Sequence, residues 1–180
     1  MSLPSDHPEA IYLHEAGHVI VARELGLEVT SVQAVSGAGG AQFSITAAQM
    51  ARIGSARRAF EADTIQADKL FELAVDAASD YLTAILGGIA AEGLVVNGAA
   101  YVVARSGEDI PTFFALLHTL SPGLAPKQAD ALWGRTFRKC HEQAWTIVRS
   151  HQAKVLALAE ALKPGALLTN QDIEDVIAGV

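Results

Sequence analysis

One cysteine in 180 residues, Cys140, leaves no partner for an intrachain disulfide. The chain is therefore not a disulfide-built secreted scaffold, and it suits a reducing cytoplasm. Cys140 itself reads as a small apolar packer on a helix. Basic residues are also scarce: 13 Lys and Arg stand against 20 Asp and Glu, for a net charge of −7. No basic run is long enough to line a phosphate backbone, which argues against a nucleic-acid partner. The pattern Gly-x-x-x-x-Gly-Lys-Ser/Thr occurs nowhere, so no phosphate loop of that type is encoded. Met1 to Glu9 are polar and Pro-broken, without the basic start of a secretory leader. A soluble, cytoplasmic protein is the expectation. Charged residues make up only 18% against 51% apolar, a balance that excludes disorder and allows a real core at this length.

One stretch is apolar and long enough to be weighed as a membrane span. Tyr81 to Val103 carries a single charge, Glu92. Gly87, Gly88, Gly93, Asn97 and Gly98 interrupt it, and no Lys or Arg anchors its N-terminal side. A helix buried in a protein core explains it better.

The remaining pattern is mainly α with a small β-sheet, an α+β class, in one domain spanning 1–180. Residues 6–46 hold a helix and a hairpin, and 47–180 form a helical remainder. Pro8 to Leu25 predicts a helix, with Ser5 and Asp6 as cap oxygens and Gly26 as its stop. Ala10, Leu13, Gly17, Val21 and Leu25 would form its buried face. Val29–Val35 and Ala41–Thr46, around Gly37, Gly39 and Gly40, predict a hairpin. A lone hairpin is marginal, so it should lie against helices, with room for another short strand. Helices are expected at about Ala47–Ile53, Thr64–Ser79, Asp80–Val96 and Asp109–His118. A long one, with a break, should run from Pro126 to Leu162, ended by Lys163-Pro164-Gly165. Thr169 with Asp172 offers a capping box for a last helix to Ala178.

Chemistry concentrates in His14-Glu15-Ala16-Gly17-His18. Four residues on a helix turn about 400° and rise roughly 6 Å, so both imidazoles share one face. Two nitrogens so placed can grip one zinc ion (Zn2+). Glu15 stands on the flank, where a carboxylate can take a proton from an activated water and pass it to a leaving amine. The same pattern also arises on an ordinary amphipathic helix with solvated side chains. Gly17 weakens a helix by about 1 kcal/mol, which points to close packing there. A catalytic zinc needs a third protein ligand. Glu24, six residues past His18, is on another face if the helix continues to Leu25, so that ligand must come from elsewhere.

His14 to His18 resembles the peptidase domain of the FtsH family of membrane-anchored, ATP-dependent zinc proteases. The order of later features is similar too. The hairpin follows the first helix, and Leu86-Gly87-Gly88-Ile89-Ala90-Ala91-Glu92 resembles the family's Gly-Gly-Arg-x-Ala-Glu helix, with Ile89 in place of the arginine. Ser106-Gly107-Glu108-Asp109-Ile110 resembles the segment in which an Asp opens a helix, and Leu168 to Glu174 resembles the tail. The likeness covers His14 to about Ile177. It implies a zincin-like helix bundle of the FtsH peptidase type, with His14, His18 and Asp109 as zinc ligands and Glu15 as general base. Asp109 also reads as a helix-start carboxylate paired with Ser106, and Glu108 is its understudy as ligand. Glu92 is either a partner that orients a zinc histidine or a carboxyl satisfied by helix-end amides.

The expected function is a zinc-dependent metalloendopeptidase acting on peptides or unfolded protein. The family's ATPase module has no counterpart here, so a separate ATPase partner is one source of unfolded chain. The family's rings suggest a homo-oligomer. The rival readings are a non-catalytic zinc-binding or regulatory module with a peptidase fold, and a small-amide hydrolase. His7, His118, His141 and His151 read as solvated or helix-end side chains, and Trp133 and Trp145 as packing anchors.

Overall fold

The computed structural model describes residues 10–35, 38–95, 108–163 and 165–180. The expected caps at Ser5, Asp6 and Pro8, Gly37, the Asn97-Gly98 turn, Ser106 and Pro164 lie outside them. The architecture is α+β: mainly helical, with one small antiparallel sheet. Helix α1 spans Ala10–Glu24, strand β1 Glu28–Val35 and strand β2 Ala38–Ser44. Helices α2 (Ala47–Glu61), α3 (Ala67–Ile85) and α4 (Gly87–Glu92) follow. Then come α5 (Asp109–Thr119), α6 (Pro126–Ser150) and α7 (Gln152–Leu162), with β3 (Leu167–Thr169) and α8 (Asn170–Ala178) at the end. Among the described residues no helix is long and apolar enough to cross a membrane.

Helix α1 is the axis of the molecule. It packs against α4, α7 and both hairpin strands. Glu15 through Ala22 are all buried, along with Ala10 and Leu13. The single buried face expected from Ala10, Leu13, Gly17, Val21 and Leu25 is therefore too narrow. A helix covered on every side shows little amphipathic period, which is why the stripe understated it. Gly26 ends α1 at φ 73 in a Schellman motif. The Leu27 N–H donates to Ala22 O and the Gly26 N–H to Arg23 O, both at 2.9 Å.

The sheet has the order β2-β1-β3, so β2 is an edge strand. Register runs from Glu28 opposite Ser44 to Val35 opposite Ala38, with a bulge between Val29 and Ser31. β2 starts and ends earlier than the expected Ala41–Thr46. Thr46 instead caps α2: its hydroxyl accepts from the Gln49 N–H while the Gln49 side chain accepts from the Thr46 N–H. β3 pairs antiparallel with β1, Ser31 opposite Thr169. The capping box expected at Thr169 and Asp172 is present and opens α8.

Two helix boundaries differ from expectation. α2 runs on to Glu61, past Ile53, and α3 runs unbroken through Ser79 and Asp80 to Ile85. The expected Asp80–Val96 helix is thus the end of α3 plus the separate α4. The break falls at Leu86, one residue before the close approach of α4 to α1 at Gly87. The long C-terminal helix is broken at His151, where φ is −116 and ψ 28. One hydrophobic cluster, from Leu13 to Ile173, joins these elements, and Cys140 is buried in it.

Candidate metal centre

Helix α1 meets α4 at mutual glycines. A Cβ on Gly17 would overlap Gly87 O and come within 2.5 Å of Ala91 Cβ. A Cβ on Gly87 would come within 2.6 Å of Gly17 O. The close approach lays α4 along the helix face that carries the two histidines. It also explains Gly88, where a Cβ would stand 2.6 Å from the His14 ring.

His14 and His18 project side by side, ring centroids 4.7 Å apart and nearly perpendicular at 80°. Each Nδ1 is committed. His18 Nδ1 donates to Ala84 O at 2.9 Å, near the end of α3. His14 Nδ1 donates to Glu92 Oε1 at 2.8 Å, at the end of α4. A neutral imidazole that donates through Nδ1 presents a bare lone pair at Nε2. The two Nε2 atoms lie 3.0 Å apart. Asp109, the first residue of α5, sends Oδ2 to within 3.0 Å of His14 Nε2 and 3.3 Å of His18 Nε2. Three acceptors thus converge on one point. Asp109 Oδ2 is buried without a donor and gains one only if an imidazole takes a second proton.

That arrangement repels itself unless a cation sits at its centre. Donor atoms on a tetrahedral zinc, each about 2.0–2.1 Å from the ion, lie roughly 3.3 Å from one another. The three observed separations fit that spacing, and two imidazoles with a carboxylate are a zinc-type donor set. Without metal, a proton takes the cation's place. Burial alone would lower the His14 pKa, but the carboxylates of Asp109 and Glu92 outweigh it and raise it from 6.5 to about 10. Asp109 is opposed by burial too, yet the two imidazoles hold its carboxyl well below the usual range.

Glu15 lies on the flank of the histidine face, under the hairpin, close enough to feel both rings. Its Oε1 lies 2.5 Å from where a Gly39 Cβ would stand, so only glycine fits there. Burial raises its pKa, and His18 and His14 pull against that rise. The backbone of Ala41 acts in the same direction as the histidines. Glu15 Oε2 is buried and has no partner. A buried carboxylate with an unpartnered oxygen and with its basicity raised is suited to taking up and releasing a proton.

The structure brings together His14, Glu15, His18 and Asp109 and adds Glu92 behind His14. It does not bring in Glu108, which is exposed at the N-cap of α5 without a capping bond. Glu24 is likewise remote, paired with Lys154 at 2.9 Å and His151 at 3.4 Å. His141 is half-buried and stacked on Phe137, not solvated, and burial lowers its pKa. Two parts of the site carried no readable signal. The Ala84 carbonyl is backbone, and Gly39 looked like a turn residue until Glu15 was seen beneath it. No known family model and no curated protein matches the sequence significantly.

Proposed function

We propose that the chain is a zinc-dependent metalloendopeptidase resembling the FtsH proteolytic domain, with peptides or unfolded protein as substrate. The observation that carries this reading is the convergence of His14 Nε2, His18 Nε2 and Asp109 Oδ2 beside a buried carboxylate with an unpartnered oxygen. When bound, zinc supplies Lewis-acid chemistry, acidifying a water and polarising a carbonyl. His14, His18 and Asp109 would hold the ion, and Glu92 and the Ala84 carbonyl fix the ring tautomers so that both Nε2 atoms face it. Glu15 Oε2 accepts the proton of the attacking water. A bond forms from water oxygen to the peptide carbon, the C–N bond breaks, and Glu15 returns the proton to the leaving amine.

Edge strand β2 supports a peptide over a small amide as substrate. β2 pairs with β1 on one side only, so its other edge is open to an added strand, and Gly39 of this strand lies against Glu15. Strand alternation puts Gly39, Ala41 and Phe43 on one face of β2. An extended peptide added there would lie across the site through main-chain hydrogen bonds. Unfolding of folded substrates would fall to a separate ATPase, in the cytoplasm if the single cysteine is a guide.

Metal analysis and cleavage of an unfolded protein test this together. The parent should hold one zinc and cleave. Glu15→Gln should keep the zinc and lose about 10²-fold or more of the rate. Zinc without cleavage in either protein would favour the non-catalytic module, and an undiminished rate in Glu15→Gln would remove the base assigned here.

A further inference from the structure

Helices α3 and α6 run side by side and parallel. Their N-terminal halves meet at a cleft of about 450 Å³ lined by Asp68, Glu72, Gln128 and Arg135. Further along, the Thr83 hydroxyl donates to Gln143 Oε1 at 3.4 Å. We infer that the outer face of this helix pair docks a second copy of the chain, as a closed dimer in which the α3 of each copy lies on the α6 of the other. This does not rest on the peptidase reading above.

Helix α6 carries cations that no carboxylate of the chain engages. Among the described residues, every Lys and Arg outside α6 except Arg58 pairs with a carboxylate. None of the five on α6 does: Lys127, Arg135, Arg138, Lys139 and Arg149. The exposed Arg135, Arg138 and Lys139 lie on the side of α6 away from its buried Ala129, Thr136, Cys140 and Ala144. Arg135 stands three residues before Arg138 and four before Lys139, spacings at which like charges on a helix repel. Lys127 sits in the first turn, at the positive end of the helix dipole. Each placement costs stability in an isolated chain, and an acidic face laid on α6 reverses that cost.

The acidic face is next door. The exposed residues of α3 are Asp68, Lys69, Glu72, Leu73 and Asp76, an acidic set with one cation, Lys69, already paired with Glu72. Asp68 accepts only the backbone N–H of Lys69, and although it lines one cleft with Arg135 the two do not pair. Acidic and basic ridges side by side make a surface complementary to itself. A twofold axis along the helices, in the plane of contact, carries each α3 onto the α6 of the other copy. A twofold across them would set acid on acid. Leu73, 39% exposed, adds apolar surface to the contact. The 19 residues of α3 are about 28 Å long and two helices are about 20 Å wide, so the contact covers roughly 560 Å² per copy. That is under the roughly 800 Å² per partner of a standard interface, so the dimer is weak. It is also closed, since both ridges of each copy are used and none is left for a third.

Sedimentation equilibrium of the full chain tests this with two charge swaps, neither at a proposed metal ligand. One is Asp68→Lys with Glu72→Lys, the other Arg135→Glu with Lys139→Glu. Circular dichroism checks that each is folded, and Asp68→Lys and Arg135→Glu alone replace a pair that is not. The parent should dimerise with a constant below about 1 mM, and each swapped protein alone at least tenfold more weakly. An equimolar mixture of the two should recover the parent constant, because each swapped α3 then meets an oppositely swapped α6. Proteins that had merely lost structure would not rescue one another. A mixture that stays monomeric overturns the arrangement. So does a parent that is monomeric at about 1 mM, a dimer that neither swap weakens, or growth beyond two copies. A monomeric parent that binds polyglutamate, and loses it with Arg135→Glu and Lys139→Glu, replaces the second copy with an unrelated acidic partner and overturns the dimer too.

Discussion

Helices α1 and α2 are both 15 residues long, yet they are held in opposite ways. α1 is buried from Glu15 to Ala22, whereas Ala56 is the only buried residue of α2. α1 is fixed by contact on every side, through glycines that let α4 touch its backbone. α2 is fixed by polar attachments: the Thr46–Gln49 capping box, Gln49 to Asp80 at 3.2 Å, and Arg52 to Asp76 at 2.5 Å. The difference teaches where each kind of side chain is needed. Metal ligands and a base must be held to a fraction of an ångström, and dense packing does that. A helix tied by exposed polar contacts can yield without disturbing that packing.

The largest expected effect that separates the two helices is Gly17→Ala. In an exposed helix, alanine for glycine stabilises by about 0.5–1 kcal/mol. At Gly17 the added methyl has no room, because Gly87 O and Ala91 Cβ occupy it. Overpacking of this kind costs about 1–3 kcal/mol. The methyl also pushes on α4, which carries Gly88 and Glu92 against His14, so affinity of the proposed zinc site should fall with stability. Urea denaturation and a competitive zinc titration check both. A Gly17→Ala protein as stable as the parent would mean that α1 and α4 are not locked together.

The middle effect is Thr46→Ala, which removes the hydroxyl that accepts from the Gln49 N–H. Loss of an N-cap costs about 1 kcal/mol. Because polar ends and not a core hold α2, the loss should appear first as faster amide exchange along Ala47–Glu61. Global unfolding should move less. Exchange rates that rise equally in α1 and α2 would deny the two helices separate modes of attachment.

The same contrast governs what was readable beforehand. His14, Glu15 and His18 stood out because helical spacing alone puts the histidines on one face. The resemblance pointed to Asp109 and Glu92, and the structure sets both against His14. The fold class was legible from the strand pattern and helix stops such as Gly26. Boundaries failed where polar residues imitated punctuation. A boundary was expected between Ser79 and Asp80, but Ser79 Oγ bonds back to Asp76 O and α3 continues. An end was expected at about Ile53, but Ser55 Oγ bonds Ala51 O in the same manner and α2 continues. The tight crossing at Gly17 and Gly87 is a tertiary fact, and only the unexplained helical glycine hinted at it.

The smallest effect has the opposite sign to the largest. Gly54 sits mid-helix in α2 as Gly17 does in α1, but a Cβ there would meet only Arg58 Nη1, at 3.4 Å. That is ordinary contact with the end of a flexible, exposed side chain. Gly54→Ala should therefore follow intrinsic propensity and stabilise the protein by up to about 1 kcal/mol, partly by narrowing the unfolded ensemble. Affinity of the proposed zinc site should not change, since α2 supplies none of its proposed ligands. One methyl group, added at two helical glycines of one chain, should thus lower stability in α1 and raise it in α2. Thermal melts of the two variants and their combination measure this. The sites share no contacts, so the double variant should show the plain sum of the two changes. A Gly54→Ala protein that is destabilised by 1 kcal/mol or more would mean that α2 is clamped as tightly as α1.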